Sequence, residues 1–185
     1  MWLLIILLIL VVVLVIYLIS AYNGLIRHRN QIENAWSQID VQLKRRLDLI
    51  PNLVETVKGY AAHEKETLDA VVKARNAAAS PHASPAEAAK ADNMLTGALR
   101  QLFALSERYP DLKANQNFLE LQRELSATED RVQRSRGIYN DNVRANNIAV
   151  ESFPGNIVAG MFGFERRDFF EIEDAAQREA PEVKF

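Results

Sequence analysis

Residues 32–57 read IENAWSQIDVQLKRRLDLIPNLVETV, and the spacing of the apolar side chains in this stretch decides the fold. Ile32, Trp36, Ile39, Leu43, Leu47, Ile50, Val54 and Val57 follow one another in steps of three and four. Ala61, Leu68 and Val71 prolong the row, with Glu64 filling its one gap. Such steps mark one face of a helix, whereas a strand would alternate every second residue. The two successive steps of four from Ile39 through Leu43 to Leu47 read as a stutter that relaxes a left-handed, coiled-coil-like seam. Pro51 lies inside the row, where it removes one backbone hydrogen bond and crowds the carbonyl of Leu47. A kink or a break is therefore expected, and the unbroken apolar phase from Ile50 to Val57 favours the kink. Gly59 costs about 1 kcal/mol relative to Ala, which a long helix tolerates.

Upstream of this row the chain changes character. Met1 to Ile19 carries no charged side chain: Trp2, Leu3, Leu4, Ile5, Ile6, Leu7, Leu8, Ile9, Leu10, Val11, Val12, Val13, Leu14, Val15, Ile16 and Tyr17 are apolar or aromatic throughout, and the first charge is Arg27. At ~1.5 Å per residue this run covers roughly 28 Å, the thickness of a bilayer hydrocarbon core. A cleavable signal peptide would open with basic residues and end in small ones, but the best cut, after Ala21, has Ile19 where a small residue belongs. The expectation is an uncleaved transmembrane anchor over residues 1–22, with Trp2 and Tyr17 near the two interfaces. Arg27, His28 and Arg29 follow the span and only the terminal amine precedes it, so positive-inside bias places the C-terminal part in the cytoplasm.

Downstream, the first helix is expected to stop in Ser80-Pro81-His82-Ala83-Ser84-Pro85. Ser84, Pro85 and Glu87 then announce a second helix through a capping box with proline at the first helical position. Its face runs Ala88, Ala91, Leu95, Ala98, Leu102, Leu105, Tyr109, and Pro110-Asp111 closes it. A third helix takes over near Asn115 with Phe118, Leu121, Leu125, Val132, Tyr139, Val143, Val150 and Phe153 on its face, and Thr128, Ser135 and Asn146 in the remaining seam positions. Pro154-Gly155 ends it. The expected architecture is all-α: a membrane anchor continuing into an antiparallel bundle over 23–153, with helices at about 24–79, 85–109 and 115–153, or one more segment if Pro51 breaks the first. In the unbroken case the order is up, down, up, and Phe153 lies far from lipid. If the chain reverses at Pro51 the last helix returns to the membrane.

Residues 154–185 divide in two. Phe153 to Phe164 reads FPGNIVAGMFGF, too short to span a bilayer and too apolar for a surface loop. Its two readings are a plug folded over the bundle end, or a surface for another subunit, a membrane or a partner, carried by Phe153, Ile157, Val158, Met161, Phe162 and Phe164. Beyond it, acidic residues outnumber basic ones and the last dozen residues are expected to be mobile.

The chain has 185 residues, 22 Lys and Arg against 24 Asp and Glu, and no cysteine. Disulfides, thiolate zinc sites and cysteine nucleophiles are thereby excluded, and near-neutral charge argues against a nucleic-acid binder. No catalytic constellation emerges. His63-Glu64 begins like a zinc-protease helix, but Thr67 stands where the second histidine belongs. Gly155, Gly160 and Gly163 lack dinucleotide-binding spacing. The expectation is a non-enzyme without cofactor or metal. Lys44-Arg45-Arg46 with Asp48 and Asn52 forms a candidate interaction segment, against the plainer reading of a solvated face with Lys44 and Asp48 paired one turn apart. Glu64 on the seam requires a partner, for instance an arginine from Arg131, Arg134 or Arg136.

Tyr22-Asn23, the run from Trp36 to Glu64, Ala74-Arg75, YPDLKAN from Tyr109 to Asn115, Phe118, the segment from Thr128 to Asn140, and FPGNIVA from Phe153 to Ala159 resemble the LemA family of bacterial membrane proteins in the same order. The resemblance covers nearly the whole chain. It implies an N-terminal transmembrane helix with a short external terminus in the bacterial inner membrane and a mostly cytoplasmic helical bundle. It supplies no catalytic residues, and only a suggestive link to membrane proteases. The expected function is a membrane-anchored, self-associating scaffold; the alternative is an adaptor regulating a membrane protease or transport system. Its expected partners are the lipid bilayer, further copies of itself and another membrane protein, not nucleic acid.

Overall fold

The computed structural model describes residues 1–82 and 84–170; the last dozen residues, expected to be mobile, lie outside the described residues. The described chain is helical without a strand. In order, the helices are α1 Trp2–Ala61, α2 Lys65–Ala79, α3 Pro85–Ser106, α4 Pro110–Lys113, α5 Gln116–Glu151 and α6 Gly155–Phe162. Two compact units share them: Met1–Ile39 with Ser135–Phe169, and a second containing Asp40–Arg134.

The expected single helix over 24–79 is two helices, and the break is not at Pro51. Helix α1 passes through Pro51 and ends at Ala61, and the chain reverses at Ala62-His63-Glu64. Proline at 51 has no N–H to give the Leu47 carbonyl four residues back. Arg75 of α2 supplies the missing donor, its Nε lying 3.2 Å from that carbonyl. A long-range side chain thus repairs the gap, and the exposed proline ring is accommodated.

In the second unit four helical stretches run in alternating directions. Arg75 beside Leu47 sets α2 against α1; Arg46 with Asp92 and Glu64 with Arg108 set α3 along α1; Arg45 with Glu124 and Tyr60 with Asn115 send α5 back. Their shared core contains Ile50, Leu53, Val57, Leu68, Val71, Leu95, Leu102, Leu112, Phe118 and Leu125. Phe103 meets Phe118 edge-on at 6.2 Å. Local signals set the ends. Ser84 accepts from the Glu87 amide at 3.3 Å, and Asn115 accepts from the Phe118 amide at 3.0 Å, both as N-caps. Pro110 opens α4 where the sequence reading had it closing α3, which already ends at Ser106.

In the first unit α5 also runs against α1, with Asn142 donating to the Gln31 carbonyl and the Trp36 ring tilted against Tyr139 at 5.7 Å. The expected up, down, up order with Phe153 far from the span is therefore overturned. The reversal at 62–64 adds a helix, an odd number becomes even, and α5 returns.

Replacing Arg75 by Met is expected to destabilise the protein by about 1 kcal/mol, the low end of the cost of an unmet carbonyl, since this one is only partly buried. In a Pro51→Ala background, where residue 51 regains its own N–H, the same replacement should cost markedly less. Denaturant unfolding of the four proteins in detergent micelles measures the difference as a double-mutant cycle; equal losses in both backgrounds would refute the repair.

Candidate functional site

The sequence singled out two segments, and each lies within one unit. In the second unit, Lys44, Arg45, Asp48 and Asn52 are exposed on α1, but Arg46 is not: only 3% of it reaches solvent. Its Nη1 donates to Asp92 Oδ1 at 2.6 Å, and its Nη2 donates to Thr96 Oγ1 at 2.9 Å and lies 2.6 Å from Glu129 Oε2. One guanidinium thus joins α1 to α3 and α5. The reading of Lys44-Arg45-Arg46 as one solvated face is corrected, because its last charge, Arg46, is a core residue.

The missed signal was the heptad itself. A strict alternation of four and three from Ile32 gives Trp36, Ile39, Leu43, Arg46, Ile50, Leu53 and Val57. Skipping a charged residue produced the apparent stutter at Leu47, which is only half-buried, while Leu53 is fully buried. Asp92 and Glu129 fall beside seam positions of their own helices and were equally passed over.

Arg45 reaches Glu124 at 3.0 Å across the solvent edge. Asn52 lies in a groove of about 520 Å³ with Leu49, Glu55, Thr56, Asn117, Glu120, Leu121 and Glu124. Glu64 sits in the α1–α2 turn rather than on a continuous seam. It accepts from the Tyr109 hydroxyl at 2.9 Å and from Arg108 at 3.2 Å, not from the Arg131, Arg134, Arg136 group. That hydrogen bond, followed by desolvation, raises the Tyr109 pKa above its ordinary value.

In the first unit, FPGNIVAGMFGF folds into a short helix with two unlike faces. Gly155 opens α6 so close to α5 that a Cβ there would lie 2.7 Å from the Ala149 carbonyl oxygen, hence glycine. Val158 and Ala159 are buried with Leu25, and Leu18, Ala21, Ala149, Val150 and Phe164 pack around them. Phe162 meets Tyr22 at a ring separation of 4.8 Å, and Phe164 meets it at 5.7 Å. Phe153, Ile157 and Met161 remain exposed, and Phe162 keeps about half its surface open. α6 thus has one packed face, set against the stretch from Leu18 to Leu25, and one open face.

Gly163, at φ +69°, ends α6 in the left-handed conformation and turns the chain back along α5. Residues 164–168 are then held by side chains. Asn147 donates to the Arg167 carbonyl at 3.0 Å and accepts from its amide at 2.9 Å. Asn146 donates to the Glu165 carbonyl at 3.3 Å, and Tyr139 donates to the Asp168 carbonyl at 2.9 Å. Asn146, read as a seam polar, is thus a latch for this strap. Burial first, and the Asp168 charge second, push the Tyr139 pKa up to about 12.

An N-terminal helix long and apolar enough to cross a membrane, fully exposed over its apolar window and joined to packed amphipathic helices, defines an all-helical protein with a candidate membrane anchor. The chain belongs to the LemA family, whose sequence profile matches residues 35–185. It is 32% identical over 140 residues to Protein LemA of Metamycoplasma hominis, covering 74% of this chain and 63% of that protein. It is 24% identical over 183 residues to Magnetosome protein MamQ 2 of Paramagnetospirillum magneticum and to Magnetosome protein MamQ of Magnetospirillum gryphiswaldense, covering 85% of this chain and 67% of each relative. The chain thus spans about two thirds of the length of these relatives.

Replacing Arg46 by Met leaves Asp92 and Glu129 without their shared cation and should cost about 3–5 kcal/mol. Adding Asp92→Leu and Glu129→Leu to it should restore most of that loss, as read by thermal unfolding in detergent. A second expectation concerns alkali. An unfolded tyrosine ionises near ~10, so the raised folded-state pKa of Tyr139 contributes stability that is complete below that pH and is lost as pH rises toward about 12. Tyr139→Phe should remove a late-ionising phase from the ultraviolet titration and flatten the alkaline decline in stability.

Proposed function

We propose that this protein is a membrane-anchored, non-enzymatic helical scaffold that associates with copies of itself and presents its packed helices on the cytoplasmic side of a bacterial inner membrane. The observation that carries the reading is the apolar span: Leu3 to Ile16 stay largely exposed, an arrangement water disfavours and a bilayer core satisfies. Arg27 and Arg29 after the span support the orientation. Three relatives carry names that refer to a structure, the magnetosome, rather than to a reaction. The charged cluster around Arg46 supports the same view, since its groups are occupied in joining helices.

The second reading, an adaptor for a membrane protease or transport system, is favoured by the open groove at Asn52, flanked by Glu55, Glu120 and Glu124 beside exposed Lys44 and Asp48. Crosslinking in cells separates the two: self-adducts alone support the scaffold, and a reproducible heterologous adduct supports the adaptor. Deleting residues 2–19 should move the protein from the carbonate-resistant membrane fraction to the soluble one. Light scattering of the detergent-solubilised full chain should return a multiple of the single-chain mass. A monomer only would end the self-association part, and a carbonate-extractable full chain would end the anchor.

A further inference from the structure

We propose that the exposed face of α6 is a second membrane contact, a short foot that lies in the lipid interface beside the emerging anchor helix. The inference rests on the anchoring reading above.

Its placement along α1 is the first argument. The buried face of α6 packs on Leu18, Ala21 and Leu25, and Phe162 meets Tyr22 edge-on. That stretch begins at Leu18, in the last residues of the apolar run, and stops short of the first charge, Arg27. Eight residues of helix rise about 12 Å, enough to cover the headgroup layer of roughly 5–8 Å on one side of a bilayer. Whatever packs against this window shares the depth of the interface.

Its surface is the second argument. Phe153 is 80% exposed, Met161 65%, Phe162 54% and Ile157 53%. Ile157 and Met161 stand one turn apart on α6, and Phe153 lies in the turn that precedes the helix. No charged residue interrupts Ser152 to Phe164. Large apolar side chains exposed together in this way are costly in water, and α6 packs beside the end of the span, whose own apolar side chains are exposed. A lipid interface covers them without a second protein. Interfacial helices ordinarily bury an apolar face about 5–10 Å into the headgroup and acyl boundary, the depth that its packing on α1 dictates.

The chain has no cysteine, so single cysteines report one site each. Full-length Met161→Cys, labelled with the fluorophore NBD and reconstituted in phosphatidylcholine vesicles, should show blue-shifted emission, quenching by doxyl-labelled lipid and protection from iodide. Phe153→Cys should behave the same way, which guards against a local folding defect at one position. Leu8→Cys in the span is the positive control, and Ile138→Cys on α5 should remain open to iodide. If Leu8→Cys reports lipid while both foot positions report water, the foot is wrong and the anchor stands. If the foot labels are shielded from iodide but untouched by lipid quencher, another protein surface covers α6 and the proposal is equally overturned. If Leu8→Cys itself reports water, the anchoring reading fails first.

Discussion

The carbonyl of Leu47 has no donor within its own helix, and the direction of every later helix follows from how that gap is met. A proline four residues on leaves the oxygen bare. Either the helix breaks there or another group must pay for the missing hydrogen bond. Arg75 does so from α2, and α1 continues to Ala61. Moving the reversal from Pro51 to Ala62-His63-Glu64 lets Leu53, Val54 and Val57 stay on the helix that Ile32 and Ile39 began. It also lets α2 lie back along α1 with Arg75 in reach, so the repair and the hairpin require each other.

Arg46 shows a different economy. Burying a charge in a helical seam is unfavourable unless opposite charges and acceptors are placed to meet it. Here Asp92, Thr96 and Glu129 come from two other helices. Apolar packing along a seam tolerates sliding by a heptad, since one leucine resembles another. A guanidinium that must meet two carboxylates does not slide. The ion group thus fixes register among α1, α3 and α5, while Leu102, Val71 and Phe118 around it supply most of the burial.

Much of this was legible in the sequence because helices announce themselves locally. The apolar steps, the Ser84 cap and the entry at Asn115 each need only a few neighbouring residues, and the structure has all of them. What could not be read was long-range. The donor for Leu47 is 28 residues away. The partner of Glu64 could be placed only after the turn at 62–64 was known, since that turn brings Arg108 and Tyr109 to it. Arg46 was hidden for another reason: the neighbouring Leu47 also fits the apolar row, and the carboxylates that make a buried guanidinium tolerable, Asp92 and Glu129, lie on other helices. The candidate segment at Phe153 to Phe164 was visible as anomalous composition, but its division into a packed face and an open one depends on α5 coming back to Leu25, which no local pattern reveals.

The composition of α6 fits that division closely. A helix packed on both sides would carry apolar residues all round and no need for glycine at its start; one exposed to water would carry charges on its outer face. This helix has Gly155 where α5 allows no Cβ, small Ala159 and Val158 toward α1, and large uncharged side chains on the side that faces no other part of its unit. The strap that follows is fastened by Asn147, Asn146 and Tyr139 through backbone groups, and by Arg166 to Glu151 of α5 at 2.6 Å. Such fastening fixes the C-terminal end of α6 after the Gly163 turn while Gly155 fixes its start. An eight-residue helix has too few internal hydrogen bonds to hold itself in water. Held at both ends and along one face, it can present its other face, and the chemistry of that face is the chemistry of the anchor beside it.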